Sequence, residues 1–94
     1  MFIAAQVGRV DVIHVLKKYD ADVNTARNCG ATPMFIATQG GHVDVIHALK
    51  KYDADVNKAN NNGATPMFIA TQQGHVDVIH ALNEYGVALS QNPV

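Results

Sequence analysis

Histidine is the residue of this chain whose type and spacing most suggest chemistry. Five histidines are present, and His14, His47 and His80 recur at intervals of 33 residues. Imidazole is a common zinc ligand, but a structural zinc site needs four close ligands, and packed helices lie about 8–10 Å apart. Adjacent histidines could therefore chelate an ion only in pairs, with Asp44 as a third ligand. The spacing predicts exposed polar positions and no metal site.

Other reactive side chains stand alone in the sequence. Ser90 lies near the carboxyl end, Glu84 is the only glutamate, and the repeat spacing puts no histidine beside Cys29 to act as its base. The chain has no glycine-rich nucleotide motif and no acidic loop with calcium spacing. We expect no catalytic residue, no cofactor and no enzymatic activity. Cys29 is expected to be an accessible thiol that oxidises or dimerises.

Length and composition restrict the class of protein. Ninety-four residues suffice for one domain, residues 1–94, and a hydrophobic content of 48% excludes disorder. A net charge of −1 argues against nucleic acid and against an anionic membrane surface as partners. Apolar runs are too short to span a bilayer. A single cysteine forms no internal disulfide, and no leader is recognisable, so we expect an intracellular protein, cytoplasmic or nuclear.

The chain is an internal repeat. Met1, Met34 and Met67 fall in register at a period of 33, and residues 1–28 differ from residues 34–61 only at positions 5, 7, 9, 15, 25 and 27. Such a period indicates a repeat architecture in which each unit is one supersecondary element. We place the units at about 1–26, 27–59 and 60–94.

Within a unit, the residue order predicts two helices and a loop. Thr32-Pro33 precedes MFIA, where threonine can cap a helix and proline fits its first turn. This helix should end at Gly40-Gly41, or at Gly74 in the next unit. Apolar residues three apart, Val43, Ile46 and Leu49, then predict one buried face of a second helix. The segment from Asp53 to Gly63 has turn chemistry and predicts a projecting hairpin-like loop.

These motifs together resemble the ankyrin repeat. The resemblance rests on G-A-T-P-M-F-I-A, G-H-V-D-V-I-H-A-L and A-D-V-N at period 33, and it covers nearly the whole chain, with Arg27–Ala59 as one complete unit. It implies an all-α solenoid of stacked antiparallel helix pairs with projecting hairpin-like loops. It also implies a non-catalytic module that binds another protein through the loop tips and the concave surface of the first helices.

The chain departs from the family pattern at two kinds of position. Phe2, Phe35 and Phe68 stand where the family usually has histidine, and we expect them to pack between neighbouring units, with exposed binding anchors as the alternative. Asp20 and Asp53 stand where glycine is usual after the second helix, which predicts aspartate at positive φ at a cost of about 1 kcal/mol. His42 and His75 match the family's G-H, whose ring usually supports the turn between the helices.

The two ends are predicted to differ from the middle. No Thr-Pro cap precedes Met1, so apolar surface from Phe2, Ile3, Val10 and Ile13 is expected to stay partly exposed and to favour self-association. The last residues, which include Pro93, are expected to fray.

The resemblance transfers a partner-binding surface onto loop tips and helix ends. Its members are uncharged and rich in amides, which offers hydrogen bonds but few of the aromatic or arginine anchors that dominate binding. They are Gln6, Val7, Asn28, Cys29, Ala31, Gln39, Gly40, Asn61, Asn62, Ala64, Gln72 and Gln73.

Two further interpretations stay open. The runs Leu16–Asn24 and Leu49–Asn57 resemble the asparaginyl hydroxylase substrates of ankyrin proteins, with Asn24 and Asn57 as the modified residues; alternatively, each asparagine only bonds its own loop backbone. The alternative to partner binding is a structural spacer, or a self-associating fragment of a longer array.

Overall fold

Three consecutive helix pairs make up the fold. In a computed structural model that describes residues 1–87, the first helix of each pair is short and the second has nine residues. The helices are α1 (Phe2–Val7), α2 (Val10–Lys18), α3 (Pro33–Gly40), α4 (Val43–Lys51), α5 (Pro66–Gln73) and α6 (Val76–Glu84). No strand occurs in this range, so the all-α prediction is confirmed there. The fraying expected around Pro93 lies outside the described residues.

Capping residues set where the first helices begin and end. Thr32 and Thr65 are the N-caps of α3 and α5, and their hydroxyls accept hydrogen bonds from the backbone N–H groups of Phe35 at 3.3 Å and Phe68 at 3.1 Å. A proline follows each cap, as the sequence predicts. α1 begins at Met1 with no side-chain cap. The middle and last pairs therefore have helix starts that the first pair lacks.

The second helices are amphipathic, and their inner faces form the core. α4 buries Val45, Ile46, Ala48 and Leu49. Within α2 only Ile13 is buried. The expectation that Ile13 stays partly exposed is wrong, because its side chain joins the continuous apolar core.

The outward side of the first pair does remain exposed. Ile3 is 74% exposed, whereas Phe2 and Val10 are half-buried and pack against the core. Among the residues described, no helix has both the length and the apolar character needed to cross a membrane.

Like helices of neighbouring pairs lie side by side. α1, α3 and α5 form one layer, α2, α4 and α6 form the other, and a single apolar cluster runs through all three pairs. Phe35 is buried in this cluster, while Phe2 and Phe68 are half-buried. Each pair therefore contacts only its neighbours over substantial surfaces, as a solenoid requires.

Histidines of the second helices link one pair to the next. A hydrogen bond of 2.7 Å joins His14 Nδ1 to the Tyr52 hydroxyl, and His47 Nδ1 bonds the Tyr85 hydroxyl in the same way. In both pairs the rings meet edge to face. His80 is exposed and has no such partner within residues 1–87. The histidines thus contact tyrosines of the following pair and not one another.

A second set of histidine links fixes the turns between helices. His42 Nε2 donates to the carbonyl oxygen of Gln6 at 2.9 Å, and His75 Nε2 donates to that of Gln39 at 3.0 Å. Each ring therefore holds the last turn of the preceding pair's first helix. The family resemblance predicts support of a turn at this position, and the bond shows that the support crosses between pairs.

Aspartate at positive φ occurs where it is predicted. Asp20 and Asp53 both have φ of 64°, and they are the non-glycine residues with positive φ in the described chain. Their backbone N–H groups bond the carbonyls of Lys17 and Lys50 at 2.9 Å, which closes each second helix.

Candidate functional site

Hairpin-like loops precede the first helices of the second and third pairs. The N–H of Arg27 bonds the carbonyl of Ala31 at 2.9 Å, and the N–H of Asn60 bonds that of Ala64 at 2.9 Å. Both bonds span four residues, so the two loops have the same backbone closure. The hairpin-like loop predicted for the segment from Asp53 to Gly63 is therefore present, and an equivalent loop precedes the second pair.

The two loop tips are bonded to each other. Asn61 donates its backbone N–H to the carbonyl of Cys29 and its side-chain amide to the carbonyl of Asn28, both at 2.8 Å. These contacts fix the spacing of neighbouring loops. The side chains beside them are therefore presented on a supported framework.

An open groove lies where α3, α5 and the second loop meet. Its volume is about 460 Å³. We call it the Phe35–Phe68 groove. It is lined by Phe35, Gln39, Asn60, Asn62, Ala64, Phe68, Ile69 and Gln72.

The Phe35–Phe68 groove is uncharged. Two phenylalanines, an isoleucine and an alanine provide its apolar surface, and four amide side chains provide its polar groups. Asn60 Oδ1 accepts from the N–H groups of Asn62 and Ala64, both at 3.0 Å, and so holds the loop. Within the described chain, the side-chain amides of Gln39, Asn62 and Gln72 have no hydrogen-bond partner. They can bind a ligand, because each amide offers both a donor and an acceptor.

The ion pair between Arg9 and Asp11 lies outside the groove. At the exposed start of α2, the Arg9 guanidinium contacts the Asp11 carboxylate at 3.2 Å. This hydrogen bond raises the pKa of Arg9 and lowers that of Asp11. Neither residue lines the groove, which has no titratable side chain of its own.

Four residues of the predicted partner-binding surface meet in the groove. Gln39, Asn62, Ala64 and Gln72 line it, and the three amides among them are exposed. Ala31 corrects the prediction: it is only 3% exposed and belongs to the core, so its side chain is not accessible to a partner. Ala64, the equivalent residue one repeat later, is only half-buried, so the two alanines differ in their exposure.

The remaining members of that surface lie outside the groove. Asn28, Cys29 and Asn61 are exposed at the bonded loop tips. Gln6, Val7 and Gln73 are exposed at helix ends. Gly40 is also exposed, and a Cβ there would lie 2.8 Å from the ring of His42, so the glycine makes room for that ring.

Sequence reasoning assigned the rest of the groove only in part. Phe35 and Phe68 were expected to pack between units, with binding anchors as the alternative. Ile69 was not singled out, and Asn60 was interpreted only as a turn residue. A usable signal was present: Phe35 and Gln39, like Phe68 and Gln72, are four residues apart on one helix. Such pairs share a face.

The two asparagines of the hydroxylation hypothesis have different surroundings. Asn24 Oδ1 accepts the backbone N–H of Asp55 at 2.9 Å, so its side chain bonds the next loop and not its own. Asn57 is exposed, and its backbone N–H bonds Asp55 Oδ1 at 2.8 Å. Hydroxylation of either residue stays a prediction.

No cluster of metal-binding side chains is found in residues 1–87, where three or more histidine, cysteine, aspartate or glutamate residues nowhere come together. Ser90 lies beyond these residues.

Comparison with known families gives a match over nearly the whole chain. A family model described as ankyrin repeats, in three copies, matches residues 1–92. A search of curated proteins finds no match.

Proposed function

The chain belongs to the ankyrin-repeat family, and on that premise we propose that it binds another protein through the Phe35–Phe68 groove and the loop tips beside it. Ankyrin repeats are generally protein–protein interaction modules and are typically non-catalytic. The observation that supports this function best is the open groove, where apolar surface adjoins the exposed amides of Gln39, Asn62 and Gln72.

The groove has properties suited to a protein ligand. Its volume of about 460 Å³ lies within the range of small-ligand sites, and its openness to solvent admits a side chain from a protruding segment. Gln39, Asn62 and Gln72 can pair with backbone N–H and C=O groups of that segment. With few anchors of its own, this surface relies on the partner for a large side chain, and affinity should be modest. We propose an intracellular location, cytoplasmic or nuclear, for such a complex.

Arginine substitutions in the groove test this function. Gln39→Arg with Gln72→Arg places two long cations in an uncharged site, and we expect it to abolish capture of partners from a lysate of the native source. The matched control is His80→Arg with Asn83→Arg, which adds the same side chains at exposed positions of α6 outside the groove.

Quantitative mass spectrometry of the captured proteins gives the readout, with circular dichroism to verify helicity. A partner lost by the groove variant and kept by the control supports the proposal. An identical set of proteins on both variants contradicts it.

A second candidate function, self-association, is favoured by the first helix pair. Ile3 is 74% exposed, Val7 57%, Val15 55% and Tyr19 77%. The first pair thus exposes four large apolar or aromatic side chains, and exposure of this kind favours packing against another copy. In this role the protein would act as a structural spacer or a self-associating element of an array.

Solution mass distinguishes the two candidates. If the first pair drives self-association, light scattering under reducing conditions will show a mass that rises with protein concentration, and Ile3→Glu will return it to the 10.1 kDa of the monomer. A mass of one chain at both a low and a high concentration excludes self-association and leaves the groove as the functional surface.

A further inference from the structure

The apolar surface exposed on the first pair corresponds to a surface that is covered on the other two pairs. Ile3 is 74% exposed, whereas Ile36 and Ile69, its equivalents one and two periods later, are buried. Val15 is also exposed, and the equivalent alanines of α4 and α6 are buried. The last pair has a preceding neighbour but no following one in the described chain, so the preceding pair provides this cover. We call the exposed surface of Ile3, Val15 and Tyr19 the leading face.

The last pair exposes a surface that is partly covered on the first two pairs. Val10 and Val43 are half-buried and pack against the core, while Val76, their equivalent in α6, is exposed. The first pair has a following neighbour but no preceding one among the residues described, so the following pair covers this position. We call the exposed surface of Val76 and His80 the trailing face. The two faces are thus the two halves of the contact that already joins the pairs.

The polar groups of the two faces also match. At both internal junctions a histidine of one pair bonds the tyrosine of the next, as His14 bonds Tyr52 at 2.7 Å. The same period leaves Tyr19 with no preceding histidine and His80 with no following tyrosine within the described residues. Both side chains are exposed. Each end of the stack therefore presents one member of a bond that the chain makes twice inside.

A space beside Gly74 on the last pair corresponds to a space that is filled at the internal junctions. A Cβ on Gly41 would lie 3.0 Å from the ring of His75, which belongs to the following pair, whereas a Cβ on Gly74 would meet no described atom within 4 Å. The period assigns that space to the equivalent of Arg9. Arginine carries N–H donors, so it can replace the bond that His75 makes to a carbonyl of the preceding pair.

We propose that copies of this chain stack head to tail, with the leading face of one copy on the trailing face of another and Tyr19 bonded to His80 across the junction. This inference rests on self-association, the second candidate function, and names both of its surfaces. Because the two faces differ, the contact is heterologous and each assembly keeps a free face at either end. Val15 is larger than the alanines at equivalent positions, so the junction packs less closely than the internal ones and association is reversible.

Two variants that each block one face test the inference. Ile3→Glu places a charge on the leading face and Val76→Glu places one on the trailing face; both positions are exposed, and circular dichroism verifies folding. In light scattering under reducing conditions, the mass of the original chain should rise with concentration beyond two chains. Each variant alone should stay at 10.1 kDa. An equimolar mixture should reach twice that mass and stop, because it has one intact leading face for each intact trailing face.

The same mixture tests the bond across the junction. Tyr19→Phe is added to the Val76→Glu chain, which provides the leading face, and His80→Ala is added to the Ile3→Glu chain, which provides the trailing face. Each change should weaken the association of the two chains about two- to tenfold, as expected for loss of one hydrogen bond. The two changes together should weaken it no more than either alone. Independent effects would show that the two side chains do not meet.

The failures of the inference can be told apart. If the original chain has the mass of one chain at every concentration, the inference and self-association are both wrong. If either variant alone associates as strongly as the original chain, one face suffices, and the head-to-tail arrangement is wrong while self-association stands. A mixture that stays at the mass of one chain also overturns the inference. Partner binding through the Phe35–Phe68 groove is decided separately by the capture experiment.

Discussion

Asp53 adopts a left-handed backbone conformation that most residues avoid. Its φ of 64° costs a side chain that bears a Cβ, and glycine has no such penalty. Asp53→Gly is therefore expected to raise the free energy of unfolding by about 1 kcal/mol, as measured by urea denaturation.

The last pair offers the reverse substitution. Gly86 occupies the equivalent place with φ of 86°, and a Cβ there would meet no atom of residues 1–87 within 4 Å. Gly86→Asp should therefore lower stability by about 1 kcal/mol through backbone strain alone. If both substitutions change stability in the same direction, backbone strain does not explain the effect.

Thr38 is buried with an unsatisfied hydroxyl. Its side chain is fully inaccessible, and Oγ1 finds no hydrogen-bond partner among the residues described. A buried polar atom without a partner costs free energy, and valine has the same shape without the hydroxyl. Thr38→Val should stabilise the protein by about 1 kcal/mol in the same denaturation assay.

Thr71, the equivalent residue one unit later, provides the control. Its Oγ1 donates to the carbonyl of Met67 at 2.8 Å, and the residue is exposed. Thr71→Val should therefore give no gain. Equal gains at both positions would show that helix packing, and not the hydroxyl, is responsible.

Residue identity predicts the local features of this chain and few of the contacts between units. Threonine before proline predicted the caps, because a cap depends on neighbours in sequence. The resemblance to the ankyrin pattern, which usually has glycine there, predicted positive φ at Asp53. The bond from His14 to Tyr52 was not predicted, nor was the position of the Arg27 guanidinium over the Phe2 ring, 4.9 Å from its centroid. Both depend on the exact offset between stacked pairs, which sequence spacing alone does not define.

At the scale of helices, a glycine and a histidine from different pairs fit together. A Cβ on Gly8 would lie 2.9 Å from Nδ1 of His42, whose Nε2 is held by the carbonyl of Gln6. Gly8 also has φ of 79°. Gly8→Ala must therefore strain the backbone and displace the ring, and we expect a loss of about 2 kcal/mol or more.

Gly74 isolates the backbone contribution. It has φ of 70°, yet a Cβ there would meet nothing within 4 Å in the described part of the chain. Thermal and urea unfolding of Gly74→Ala should show a loss of only about 1 kcal/mol. Equal losses for the two alanine variants would mean that the His42 ring moves without cost.

The helices themselves were largely predictable, whereas the groove between them was not. Caps and glycines placed both ends of α3 and α5, because these signals act within one turn of helix. The groove depends on how α3, α5 and the second loop are placed relative to one another, which only the three-dimensional arrangement shows.

For the whole molecule, burial is uneven between the pairs. α4 is packed between two neighbours and buries four residues, while α2 buries only Ile13. In a linear stack, a pair with one neighbour should open more easily than a pair with two. Amide hydrogen exchange is therefore expected to be about tenfold or more faster in α2 than in α4.

Exchange measured at low and high protein concentration supplies the control. If the first pair self-associates, its protection should rise with concentration while that of α4 stays constant. Uniform exchange across α2 and α4 would instead show that the three pairs unfold as one unit.

The bonds between pairs also bear on how fast the chain folds. Each links residues about one repeat apart: His42 to Gln6, Tyr52 to His14, and Asp55 to Asn24. Search time grows when contacts join distant parts of a chain, and here each of these bonds closes a loop of similar length, about one repeat. Folding can therefore start at any two adjacent pairs and extend in either direction, because each pair contacts mainly its neighbours.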